Sequence, residues 1–270
     1  MRIFGIDFTS APRKAKPITC AVADLIEHEL RIAEIERWPS FAPFDAILKD
    51  PGSWVAGIDL PLGQPRRLVE ALNWPTTWEG YVNHVATMSK TDFVQTIVAY
   101  SASQPAGDKH HRRSTDTLAQ ACSPMMMYGV PVGKMFYEGA TRIASANVSV
   151  LPCRPLPAPR IIAECYPAIL VRMITDAPYK RDEKQRDPNR AAARQSIMDT
   201  CRSDWLSEHW QLKLNLSNEL AKQIVNENSA DSLDAMLCAI QAAAGVQRGS
   251  KLGIPDSADA LEGWILHTPA

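Results

Sequence analysis

The alternation of apolar and polar positions divides the chain into short β-rich runs and longer helical ones. Ile3, Phe4 and Ile6 form an apolar run too short for a helix, which predicts a strand ending at Asp7. Residues 16–26 (KPITCAVADLI) and 29–38 (ELRIAEIERW) carry apolar side chains at two-residue spacing, with a polar turn at Glu27 and His28 between them. That is the pattern of an antiparallel hairpin. Residues 53–59 (SWVAGID) and 160–164 (RIIAE) predict two further strands, each ending on a carboxylate. Helices are predicted at 43–49, 63–73, 90–101 and 133–146, from near Pro167, and in the second half of 182–200, where Asp187-Pro188 is a start signal. An alanine-rich run, 230–244 (ADSLDAMLCAIQAAA), predicts a last amphipathic helix, followed by a turn and the segment 260–266. Four prolines within 152–159 exclude regular structure there. The order β-β-β-α-β, then helices and another strand, predicts an α/β fold. We read it as a single domain over 1–270 with a helical insertion at about 74–156.

Composition narrows the function classes. With 270 residues, 46% of them hydrophobic, the chain can bury a sizeable core. A formal net charge of −1 argues against a nucleic-acid coat or a polybasic membrane binder, so any basic footprint must be local. The six cysteines are scattered without a C-x-x-C pair and read as buried thiols in a reducing compartment. The chain opens directly on a strand, and no charge-free apolar run reaches the ~20 residues of a membrane span. The expectation is a cytoplasmic protein without a membrane partner. No Walker loop, G-x-S-x-G elbow or G-x-G-x-x-G occurs.

The candidate chemistry lies in acids. Asp7, Asp59 and Glu164 each end a predicted strand, where a charge must be paired, hydrogen-bonded or bound to a metal. Asp231 and Asp234 lie three apart and project from one face of the last helix, where Ala235, Cys238 and Ala239 permit close approach to a sheet. Like charges on one face repel, and a divalent cation with oxygen ligands relieves them. Mg²⁺ or Mn²⁺ suits carboxylates, and a pair of such ions supports phosphodiester hydrolysis. Taken singly, a carboxylate after a strand is usually a turn residue or a helix cap, and it is the joint pattern of the five that favours a metal site.

The blocks GIDF, GIDLPLG, AECYP and DSLDAMLCA, in this order from residue 5 to about 242, resemble the domain of unknown function 429 family, predicted nucleases of the ribonuclease H-like superfamily. The resemblance implies a mixed five-stranded sheet flanked by helices and a two-metal acidic site. Carried over block by block, it places Asp7, Asp59, Glu164, Asp231 and Asp234 as catalytic and metal-binding acids, with two Mg²⁺ or Mn²⁺ ions as cofactors and nucleic acid as substrate. The Asp-x-x-Asp spacing is similar to that of the Holliday-junction resolvase branch. Residues 113–116 (RSTD) resemble an Arg-x-x-Asp element that the family implies in the insertion.

Basic residues supply candidate phosphate contacts. Lys109, His110, His111, Arg112 and Arg113 form the densest positive run, and Arg66 with Arg67 follow the Asp59 strand. We take Arg66, Arg67, Arg112 and Arg113 as the substrate-binding set. A second cluster, Lys180, Arg181, Lys184, Arg186, Arg190 and Arg194, is interleaved with acids and reads as a solvated helix. Trp74 and Trp78 read as packing residues rather than base stackers. His110, His111 and Cys122 match no zinc-site spacing. Two other functions compete. GIDFTS also resembles the first phosphate strand of actin- and sugar-kinase-like phosphotransferases or ATPases, although the chain has only 13 glycines and no Gly-Gly pair for phosphate loops. A non-catalytic nucleic-acid-binding scaffold is the third reading.

Overall fold

Two-residue alternation pairs the first three strands into a meander. In the computed structural model, which describes residues 1–180 and 187–267, β1 (Arg2–Asp7), β2 (Ile18–Ile26) and β3 (Glu29–Trp38) run antiparallel in sequence order. A short helix, α1 (Ala42–Ile47), returns the chain to β4 (Trp54–Asp59), which pairs parallel with β1 and sets Asp59 directly opposite Asp7. Five helices follow: α2 (Arg66–Ala71), α3 (Trp78–Thr87), α4 (Lys90–Ser103), α5 (Ser114–Ala119) and α6 (Val132–Ala144). The chain then re-enters the sheet as β5 (Ser149–Leu151) and β6 (Arg160–Glu164), the latter parallel to β4. The remainder is α7 (Ala168–Ile174), α8 (Pro188–Cys201), α9 (Asp204–Trp210), β7 (Lys213–Asn215), α10 (Asn218–Asn226) and α11 (Asp231–Gln247). Side chains of Thr77, Ser89, Asp187, Ser203 and Ser217 cap α3, α4, α8, α9 and α10, each accepting a hydrogen bond from a first-turn N–H.

The sheet order is β5-β6-β4-β1-β2-β3-β7, so it has seven strands where five were expected. The extra two, β5 and β7, are three-residue strands that add in parallel at the two edges, too short to leave a periodic signature.

Strand alternation builds two cores. Phe4, Ile6, Ile58, Leu60 and Ile162 face the layer formed by α1 to α4 and α6, with Trp78, Tyr81, Phe93 and Phe136 wholly buried. Ile3, Val55 and Ala163 face α11, which is covered on its far side by α7 to α10 through residues such as Leu170, Ile197, Trp210 and Ile224. Every residue from Asp231 to Gly245 is buried. The last helix is therefore not amphipathic, as its sequence suggested, but enclosed on all sides, which its alanines permit because they demand little space. Its close approach is licensed by Gly5 and Gly57: a Cβ on Gly5 would collide with the Ala235 carbonyl and Ala239, and one on Gly57 would sit 2.6 Å from the Cys165 sulfur and the Cys238 carbonyl.

Other expectations change as well. The segment 260–266 forms neither a helix nor a strand beyond a single bridge at Ile265. Cys20, Cys165, Cys201 and Cys238 are buried, but Cys153 is only half-buried and Cys122 is exposed. Trp74 and Trp78 pack in the core. In the second basic cluster, Arg194 is buried rather than solvated, bonding the carbonyls of Val225 and Tyr179, while Arg190 pairs with Asp187. Arg181, Lys184 and Arg186, with the start of the predicted 182–200 element, lie outside the described residues. No helix among those described is long and apolar enough to cross a membrane.

Candidate active site

Parallel pairing of β1, β4 and β6 brings their carboxyl ends to one edge of the sheet, where open α/β sheets place their ligand sites. Asp7 and Asp59 are register partners on adjacent strands and therefore point to the same face, the one carrying α11. The α11 N-terminus delivers Asp231 and Asp234 to that corner from its first turn. The unsatisfied N–H groups of that turn favour negative charge beside them. Four of the five predicted acids are thus assembled by two strands and one helix.

Burial, with repulsion between neighbours behind it, shows in the protonation of three of them. Burial, followed by the charges of Asp234, Asp231 and Asp59, pushes the Asp7 carboxyl well above the usual carboxylate range, against the pull of Lys180. Burial raises Asp59 to about 7; Lys180 opposes this, while Asp234 and Glu164 add to it. Asp234 is raised as well, mainly by burial.

Two lysines and a tyrosine hold the cluster together. Lys180 Nζ lies against Asp234 Oδ2, and the Tyr179 hydroxyl donates to Asp234 Oδ1 at 2.8 Å. Burial draws the Lys180 ammonium down, but Asp234, Tyr179, Asp59 and Asp7 outweigh it and keep the group protonated. Lys16 Nζ reaches Asp231 Oδ1 at 2.8 Å. Arg194 Nη1 donates to the Tyr179 carbonyl at 2.8 Å and so pins the segment that presents both side chains. None of these residues was selected from the sequence. Lys180 was grouped with a solvated basic run, and the aromatic neighbour Tyr179 is the only local signal that sets it apart.

Glu164 takes a different place. It pairs in register with Ile58, not Asp59, and this offset of one residue turns its side chain to the opposite face. There Arg113 grips it through two bonds, Nη1 to Oε2 at 2.8 Å and Nη2 to Oε1 at 2.5 Å, while the Leu62 N–H donates to Oε2 at 2.9 Å. Arg113 also bonds Asp116 through Nε and Nη2 and the Glu262 carbonyl through Nη1. All five guanidinium N–H groups are occupied within the protein, so the phosphate contact expected of Arg113 has no donor left. The RSTD element is a buried structural pair.

The other arginines divide. Arg66 forks onto Asp259 with two bonds of 2.7 Å, and Arg67 pairs with Asp108 at 2.6 Å. Arg112 is exposed. His111 is buried and bonded to Tyr100 and Asp108.

The donor set is suited to a hard divalent cation. It is all carboxylate; Asp231 Oδ2 is buried without a hydrogen-bond partner, and no hydrogen bond from the described residues reaches the Asp7 carboxylate. In the present side-chain arrangement, no three ligating groups among the described residues surround a common point, and the lysine ammoniums lie against the acids instead. A pocket of about 350 Å³ opens beside the cluster, lined by Asp59, Tyr179 and Lys180 together with Leu60, Val132, Met135, Tyr166, Pro167 and Ile265.

An α/β sheet with an acidic cluster at the carboxyl ends of its parallel strands defines the class of protein. The model of the DUF429 family, described as a protein of unknown function, matches residues 5–260, and the chain belongs to that family. No curated protein and no solved structure matches the chain.

Proposed function

We propose that the protein is a metal-dependent nuclease of the ribonuclease H-like type. The observation carrying this reading is the convergence of Asp7, Asp59, Asp231 and Asp234 on one corner, where burial first and neighbouring carboxylates second raise the protonation of Asp7, Asp59 and Asp234. Buried acids with perturbed protonation cluster at functional sites, where such a cost is retained for chemistry. The five central strands, β3-β2-β1-β4-β6, also fit the mixed sheet that the family resemblance implies, with β5 and β7 as edge additions.

In this reading Asp7, Asp59, Asp231 and Asp234 would hold two Mg²⁺ or Mn²⁺ ions. Bound there, the cations supply an activated water and neutralise the charge that develops on the phosphodiester. Tyr179 fixes the rotamer of Asp234 through Oδ1. Lys180, paired with Asp234, offsets the negative potential of the corner and lines the adjoining pocket, where its ammonium would face a substrate phosphate. Glu164 acts at one remove, since it and Arg113 fix the wall shared with Asp59.

Labelled single-stranded RNA, RNA/DNA hybrid, duplex DNA and branched DNA, incubated in Mg²⁺ or Mn²⁺ with wild type and Asp7→Asn, test the reading. Metal-dependent cleavage lost in the variant is expected. Nucleic-acid binding that survives EDTA, with no cleavage of any substrate, replaces the nuclease with the binding scaffold.

A further inference from the structure

The pocket beside the acids fits a substrate component that the acids alone do not specify. Its volume, about 350 Å³, falls in the range of small-molecule sites rather than of grooves that seat a duplex. Its wall is apolar and includes the Tyr166 ring, which itself lies under the Arg172 guanidinium. Three charged groups on its lining, Arg113, Asp116 and Glu164, are committed to one another. Asp59, Tyr179 and Lys180 belong both to the pocket and to the acidic corner, so an occupant of the pocket lies beside the carboxylates.

We infer that this pocket receives one unpaired nucleobase, and that the enzyme acts on single strands or frayed ends rather than on intact duplex. This rests on the nuclease reading and narrows its substrate. Planar bases stack on aromatic and apolar walls whatever their sequence, and a wall with few uncommitted hydrogen-bonding groups reads none of their edges. A base held there brings its phosphate within reach of the lining residues Asp59 and Lys180. A base within a duplex reaches such a pocket only after being unpaired and unstacked, at an energetic cost that an unpaired base avoids.

Cys122, exposed and on the pocket lining, provides a reporter that does not depend on catalysis. The wild-type protein in Ca²⁺ is alkylated with N-ethylmaleimide, and modification of Cys122 is followed by peptide mass spectrometry alone, with an oligothymidylate single strand, or with a blunt duplex of equal length. At about ten times its Kd, the single strand is expected to slow alkylation of Cys122 about tenfold, with the duplex having little effect at the same concentration. Tyr166→Ala should weaken the protection. Equal protection by both nucleic acids, or none by the single strand, overturns the inference even if the protein cleaves DNA. Protection by the single strand without cleavage under any metal keeps the pocket assignment and removes the nuclease reading.

Discussion

Glu164 and Asp59 look alike in the sequence, each a carboxylate ending an apolar strand, yet one residue of register separates their roles. The offset between β4 and β6 turns Glu164 away from α11 and into a buried ionic knot with Arg113 and Asp116, whose side chains are all under 5% exposed. Removing the shared cation leaves two carboxylates in a dry interior. Arg113→Met is therefore expected to cost about 3–5 kcal/mol in urea unfolding, and adding Glu164→Gln and Asp116→Asn to it should recover part of the loss. Arg113→Lys should be nearly as harmful, because an ammonium cannot form the forked bonds to both acids. The sequence identified Arg113 and Glu164 as important, but it could not reveal that they satisfy each other, since their partnership spans 51 residues and depends on inter-strand register. Lys180 was obscured for a similar reason: the acid it meets lies 54 residues further along the chain, while its near neighbours are also charged.

The elements that were legible are those with a clear period. The meander, the Asp59 strand, β6 and the long helices left alternating or helical patterns, and Asp187-Pro188 marked the start of α8. The three-residue edge strands left none. The last helix was visible through its alanines, but its complete enclosure was not, because a run of small residues reads the same whether it touches one layer or two. Its depth is set from the sheet side by Gly5 and Gly57. A methyl at Gly57 meets the Cys238 backbone carbonyl at 2.6 Å, which no side-chain rotation relieves. Gly57→Ala should lower stability by about 1–3 kcal/mol through overpacking and displace the α11 N-terminus with its two aspartates, so activity falls further than stability alone explains. Gly52→Ala is the control: its nearest neighbour is the Asp50 side chain at 3.2 Å, and it should change stability by less than about 0.5 kcal/mol in the same denaturation series.

At the scale of the whole molecule, the acidic corner sets the protein against its own stability, and pH exposes the conflict. Asp59 titrates near 3.8 when unfolded and is raised to about 7 when folded, so between those values the folded state holds a proton that the unfolded state has lost. Stability must therefore fall as pH rises through that window and level off above it; Asp7, raised by the same causes, extends the trend. Paired acids act oppositely and at lower pH: Asp259, held below its usual value first by its hydrogen bonds to Arg66, contributes stability that is lost only on strong acidification. The uncomplexed protein should be most stable near pH 4–5 in a thermal-unfolding series. Asp59→Asn should flatten the decline towards neutrality and be more stable than wild type at pH 8, by about 1–2 kcal/mol. If the corner is built for divalent cations, Mn²⁺ reverses the decline, because metal and protons compete for the same oxygens. At about a hundred times its Kd, Mn²⁺ adds ~2.7 kcal/mol. That gain should be large at pH 8, small at pH 5, and absent in Asp7→Asn. A wild-type stability that rises between pH 5 and 8 without metal, or a Mn²⁺ effect unchanged by pH, would mean that the four aspartates are neutralised by Lys16 and Lys180 alone.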